Sequence, residues 1–87
     1  MLTVTPAARE RLARKLARKK AGEDEAMRAT RRPGGWKLSV DRAHAADTVI
    51  LHEGRIVLLL DEAASRAMTN ATLDVQESDG RPRLKLR

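Results

Sequence analysis

At 87 residues the chain can build one small core and no more. Its hydrophobic 41% includes 14 alanines, and Trp36 is the sole aromatic, so the core is thin and a dimer interface or bound partner would add useful burial. The absence of cysteine excludes disulfides, thiolate-held iron–sulfur clusters, zinc ribbons and cysteine nucleophiles, and the longest apolar run, Ile56 to Leu60, is too short to span a membrane.

Charge is unevenly placed along the chain. Residues 1–42 carry twelve Lys/Arg against five acids, whereas residues 43–87 carry six against seven, for a net +6. Cations gathered in one half suit a polyanionic partner, because neutralising phosphates drives non-specific nucleic-acid binding. A solvated surface accounts for the same charges, since a small domain must put them outside.

In chain order, Leu2-Thr3-Val4 is a short apolar start and Thr5-Pro6 is a helix N-cap followed by a first-turn proline. Ala8, Leu12 and Leu16 recur every fourth residue from Ala7 to about Arg18, broadened by Ala13 and Ala17. Lys19 would swing onto the apolar face, so the helix frays there and Gly22 ends it. Residues 21–26 read as an acidic connection and Met27 to Thr30 as a strand.

Arg31-Arg32-Pro33-Gly34-Gly35 is the strongest loop signal, and Trp36 to Val40 is a strand with Trp36, Leu38 and Val40 facing inward. Asp41 to Ala46 is a connection. Thr48–Leu51 and Ile56–Leu60 form a hairpin in which Gly54 supplies a positive φ. Ile56–Leu60 is apolar on both faces and should be central. Asp61 caps a second helix, Glu62 to about Thr69, with Asn70 at the left-handed position after it. Leu73–Gln76 and Arg83–Leu86 flank Asp79-Gly80, a type I′ turn signal.

This order resembles the HesB-like family, the A-type iron–sulfur carrier fold. The matching strings are Leu2-Thr3-Val4-Thr5-Pro6-Ala7-Ala8, Asp47-Thr48-Val49, Gly54-Arg55-Ile56-Val57, Leu60-Asp61 and Thr69-Asn70-Ala71-Thr72-Leu73-Asp74. The resemblance covers nearly the whole chain and implies an α+β fold over residues 1–87. It is a small mixed and antiparallel β-sandwich with one longer N-terminal helix and one short helix. Cluster-carrying members place one cysteine in the Gly-rich loop between the second and third strands, and two more in a Cys-Gly-Cys tail. Here the loop reads Arg32-Pro33-Gly34-Gly35-Trp36, and Arg87 follows the last strand, so no ligand residue carries over. The resemblance implies the scaffold, and no cofactor is expected.

Other site chemistry finds little footing. His44, His52, Asp41, Asp47 and Glu53 lack the spacing that gathers metal ligands. Ser39, Ser65 and Ser78 sit in no nucleophile pattern, and the Arg-Arg-Pro-Gly-Gly segment lacks P-loop spacing. The Arg-rich first helix is short of the serine typical of a targeting segment, so a cytoplasmic location is expected.

The expected function is therefore a non-enzymatic HesB-like domain acting through protein contacts near iron–sulfur assembly. The partner is a protein contacting Arg31, Arg32, Gly34, Gly35 and Trp36, where an exposed tryptophan among arginines makes an interface anchor. A homodimer is compatible with the thin core. The alternative is a polyanion-binding module, with nucleic-acid backbone held by Arg11, Arg14, Arg18, Arg81, Arg83, Lys85 and Arg87. No aromatic platform accompanies these cations, and a charged edge strand also blocks aggregation.

Overall fold

The computed structural model describes residues 1–87. Nine elements follow one another as β1 (Thr3–Val4), α1 (Pro6–Arg18), β2 (Glu25–Arg32), β3 (Gly35–Arg42), β4 (Thr48–His52), β5 (Arg55–Leu60), α2 (Glu62–Ala67), β6 (Thr72–Ser78) and β7 (Arg81–Leu86). They make a three-stranded sheet, β1-β6-β7, and a four-stranded sheet, β3-β2-β5-β4. The sequence-adjacent hairpins are antiparallel, whereas β1–β6 and β2–β5 are parallel, which the long connections between those strands allow. No helix is long and apolar enough to cross a membrane.

Local chemistry explains the start of α1. The Thr5 hydroxyl accepts a hydrogen bond from the Ala8 N–H at 3.1 Å and donates one to Asp74 Oδ1 at 2.8 Å, so the cap also ties the helix to β6. Ala8, Leu12 and Leu16 are buried along one stripe, as their spacing demands. The helix ends at Arg18, where the apolar stripe would otherwise bury Lys19. Gly22 is not the stop. Lys20 takes the left-handed conformation at φ 53°, its N–H bonding to the Ala17 carbonyl and that of Ala21 to the Leu16 carbonyl. That double closure is a Schellman end in which a lysine fills the place glycine usually holds.

The core is aliphatic throughout. Leu12, Leu16, Met27, Val57, Leu58 and Leu60 are all buried in one cluster, and no polar residue is buried. β5 is flanked by β2 and β4, and Val57 to Leu60 are buried, as an apolar run on both faces requires. Leu59, outside the main cluster, lies across from Arg28 on one neighbour and Val49 on the other.

The expected type I′ turn has Asp79 and Gly80 at φ 54° and 74°, and the expected positive φ at Gly54 is 79°, with Glu53 beside it at 51°. Asn70 is not left-handed. The end of α2 is closed by the Thr69 hydroxyl donating to the Arg66 carbonyl at 2.9 Å and by the Ala71 N–H donating to the Met68 carbonyl, which removes the need.

The largest departure is at residues 31–36. β2 and β3 are longer than alternation suggests, and Arg31 pairs with Trp36 and Arg32 with Gly35. The loop is therefore a ladder closed by Pro33-Gly34, with proline pre-set for the bend and Gly35 at φ 129°.

Arg28 organises the connection after β3. Its Nε donates to Asp41 Oδ2 at 2.6 Å, its Nη1 and Nη2 to the Asp47 carboxylate at 3.1 and 2.5 Å, and Nη2 to the Arg42 carbonyl at 3.2 Å. Asp47 also accepts the His44 N–H at 2.7 Å. The side chains of Arg28 and Asp47 are only 12% and 3% exposed, so this pair is sheltered from solvent screening. The Arg28 hydrogen bonds hold the Asp47 carboxyl down to about 2, and Asp41 is lowered first by the Arg42 N–H and then by Arg28.

Two consequences can be measured. Leu58→Ala should cost about 2–5 kcal/mol, read as a lowered urea midpoint by Trp36 fluorescence. Unchanged stability would mean that β5 does not centre the core. Because the Asp47 carboxyl titrates at about 2 in the folded chain against an ordinary 3.8, its contribution is complete above pH 4 and disappears as pH falls toward 2. Urea midpoints across that range should drop steeply, and Asp47→Asn should flatten the drop. An equally steep loss in Asp47→Asn would place the acid sensitivity elsewhere.

Candidate functional site

The β2–β3 hairpin projects its cations. Arg31, Arg32, Gly34 and Gly35 are exposed at its tip, and the Arg31 guanidinium carbon lies 6.0 Å from the centre of the Trp36 ring. Trp36 is half-buried: the ring packs against the core while keeping one part accessible. Alternation in β3 sends Trp36 inward with Leu38 and Val40, as the sequence pattern expects, and the indole is neither fully exposed nor fully buried.

That inward turn places Trp36 at the mouth of a gap between the two sheets. Trp36 and Leu38 of β3 and Leu84 and Leu86 of β7 line, with Leu73 and the buried Leu58, Ala29 and Met68, a cavity of about 270 Å³ whose walls are all hydrophobic residues. A second depression of about 480 Å³ shares Trp36, Leu38 and Leu84 with the first, so the two adjoin. Its other walls are Arg11, Lys15, Arg81, Pro82 and Arg83. Arg11 and Lys15 are one helical turn apart on α1, and Arg81 and Arg83 alternate on β7, so two elements converge on the same rim. No acidic side chain lines this depression. Burial first, and then Arg11, Arg18 and Lys19, push the Lys15 ammonium below its ordinary value.

The cations expected on one polyanion face separate into groups. Arg11, Arg81 and Arg83 converge as described. Arg14 is paired with Glu10 at 2.8 Å, one helical turn away, and Arg87 is paired with Asp74. Lys85 stands opposite Asp74 in the β6–β7 ladder, and Arg18 lies exposed at the helix end. An unbroken stripe from α1 to Arg87 is therefore not present, because carboxylates interrupt it. Lys15 was not singled out by sequence, although its position four residues after Arg11 was the available signal.

No three His, Cys, Asp or Glu side chains come together anywhere in the chain. Asp41 and Asp47 converge, but on a guanidinium, and His44 contributes its backbone N–H. His52 is 4.0 Å from Glu53, away from that group. The place where the resemblance puts a thiol is the Pro33-Gly34 turn, flanked by arginine. An iron–sulfur cluster needs thiolate or comparable donors, so these residues do not fit one.

No family model matches the sequence, and no curated protein matches it. Solved structures do. The crystal structure of Escherichia coli SufA, involved in biosynthesis of iron–sulfur clusters, is similar at a TM-score of 0.77 with 22% identity, over 99% of this chain and 83% of that one. The crystal structure of IscA with a 2Fe–2S cluster is similar at 0.65 with 15% identity, over 100% and 84% of the two chains. The α+β sandwich expected from the order of elements is thus present, and the chain has the fold of SufA and IscA without a single cysteine.

Proposed function

We propose that the chain is a non-enzymatic domain of this fold that works through protein contacts in the neighbourhood of iron–sulfur cluster assembly. The observation that carries the reading is a carrier scaffold retained over 99% of the chain together with a donor set that suits no cluster. What such a scaffold still offers is shape, and a cluster-carrying protein of like fold is the partner proposed. The contact surface is the end of the β2–β3 hairpin, Arg31, Arg32, Gly34, Gly35 and Trp36. There a half-buried aromatic beside unpaired guanidinium groups has the composition of an interface anchor.

Sedimentation of the chain mixed with SufA tests this. A complex that persists from about 50 to 200 mM salt is expected, and Trp36→Ala or the exposed Arg32→Glu should weaken it about tenfold. Absence of a complex would overturn the choice of partner. Anaerobic incubation of the chain alone with ferrous iron and sulfide should leave only the 280 nm band of Trp36. A stable band at 320–450 nm would overturn the cluster-free reading, and a nuclease-removable 260 nm excess in the purified protein would favour nucleic acid instead.

A further inference from the structure

The gap between the sheets and the cationic rim above it use different residues from the hairpin tip, apart from Trp36. A ligand that fills both must have an apolar body and an anionic end. The only hydrogen-bonding side chain among the cavity walls is the Trp36 indole, so an alkyl body lodged there gains chiefly by leaving water. Directly at its mouth, Arg11, Lys15, Arg81 and Arg83 take part in none of the seven ion pairs of the chain. Their side chains make no hydrogen bond within the protein either; of the Arg11 guanidinium, Nε is buried with no partner. Four cations crowded together without acids repel one another, and an anion at the rim would relieve that repulsion.

We propose that this cleft binds a free single-chain amphiphilic anion, its alkyl chain between Trp36, Leu38, Leu84 and Leu86 and its carboxylate against Arg11, Lys15, Arg81 and Arg83. The cavity is at the small end for ligand sites, which favours a medium-length chain over a two-tailed lipid. The charge at the mouth is one-sided and compact, which suits one anionic head better than a long polyanion. The lowered Lys15 ammonium is consistent with this crowding, since part of its cause is the neighbouring cations.

Trp36 reports directly, being the only aromatic in the chain and a wall of both depressions. Titrating the intact chain with decanoate, below its micelle concentration, should shift Trp36 emission to the blue with one-site saturation. Decanol and decyltrimethylammonium should bind about tenfold more weakly or not at all. Arg81→Glu and Arg83→Glu lie on an exposed strand edge and should fold normally by circular dichroism, yet each should weaken decanoate about tenfold. Arg32→Glu at the hairpin tip should leave decanoate binding unchanged, so a failure here is separable from a failure to bind SufA.

Equal binding of anionic, neutral and cationic decyl compounds would overturn the role of the rim. No saturable shift with decanoate would overturn the site. Binding to vesicles containing anionic lipid, or to a single-stranded oligonucleotide, with none to free decanoate, would assign the same cations to a membrane surface or a polyanion.

Discussion

The structure rests on filling the space between two sheets with aliphatic side chains and one indole. A sandwich holds its sheets about 10 Å apart, a distance that facing aromatic residues fill easily. Here Leu38, Leu73, Leu84 and Leu86 meet across that distance with no phenylalanine or tyrosine in the chain, and they remain only half-buried. The tight part of the core lies elsewhere, where α1 lays Ala8, Leu12 and Leu16 against Val57, Leu58 and Met27. The cleft is what remains where leucine reaches less far than the sheets are apart. It follows from composition as much as from any specific wall.

Charge is partitioned by the same economy. The acids are spent on structure: Asp61 caps α2, Asp74 holds Thr5 and Arg87, Asp41 and Asp47 hold Arg28, and Glu10 and Glu62 pair along their own helices. Each of these neutralises a cation or satisfies a backbone donor near its own place in the fold. Among the cations left without acids, two sets stand close together. One set collects on the rim shared by α1 and β7, and another on the β2–β3 hairpin tip. These two places hold cations close together with no acid between them, so the field of a net +6 chain is locally strong there.

What the sequence showed and what it hid divide by range. Turns that need φ above zero are written in two adjacent residues, so Gly54 and Asp79-Gly80 were legible. The cap at Thr5-Pro6 and the stripe Ala8, Leu12, Leu16 were legible for the same reason. Lys20 and Asn70 were not, because the left-handed residue is placed by where the chain must leave the helix for the next strand. Arg28 looked like any charged residue in an alternating strand. Its partners stand 13 and 19 residues away, and nothing local couples them. For the cleft, the inward direction of Trp36, Leu38, Leu84 and Leu86 could be read from alternation. The width of the gap between their sheets could not, and that width makes the site.

Nothing in the packing of this scaffold calls for a thiol. A cluster ligand on a hairpin tip contributes little to burial, and the ladder here closes tightly through Arg32 and Gly35 without one. Pro33-Gly34 fixes the bend of this hairpin, and the proline lowers the entropy of the unfolded chain. The fold depends on α1, β5 and the Arg28 network, and the Pro33-Gly34 turn belongs to none of them. Such separation lets the surface change its chemistry while the core stays constant. The positions free to acquire a new ligand are those where packing is loosest and charge is unspent, and in this chain both conditions meet at the inter-sheet cleft.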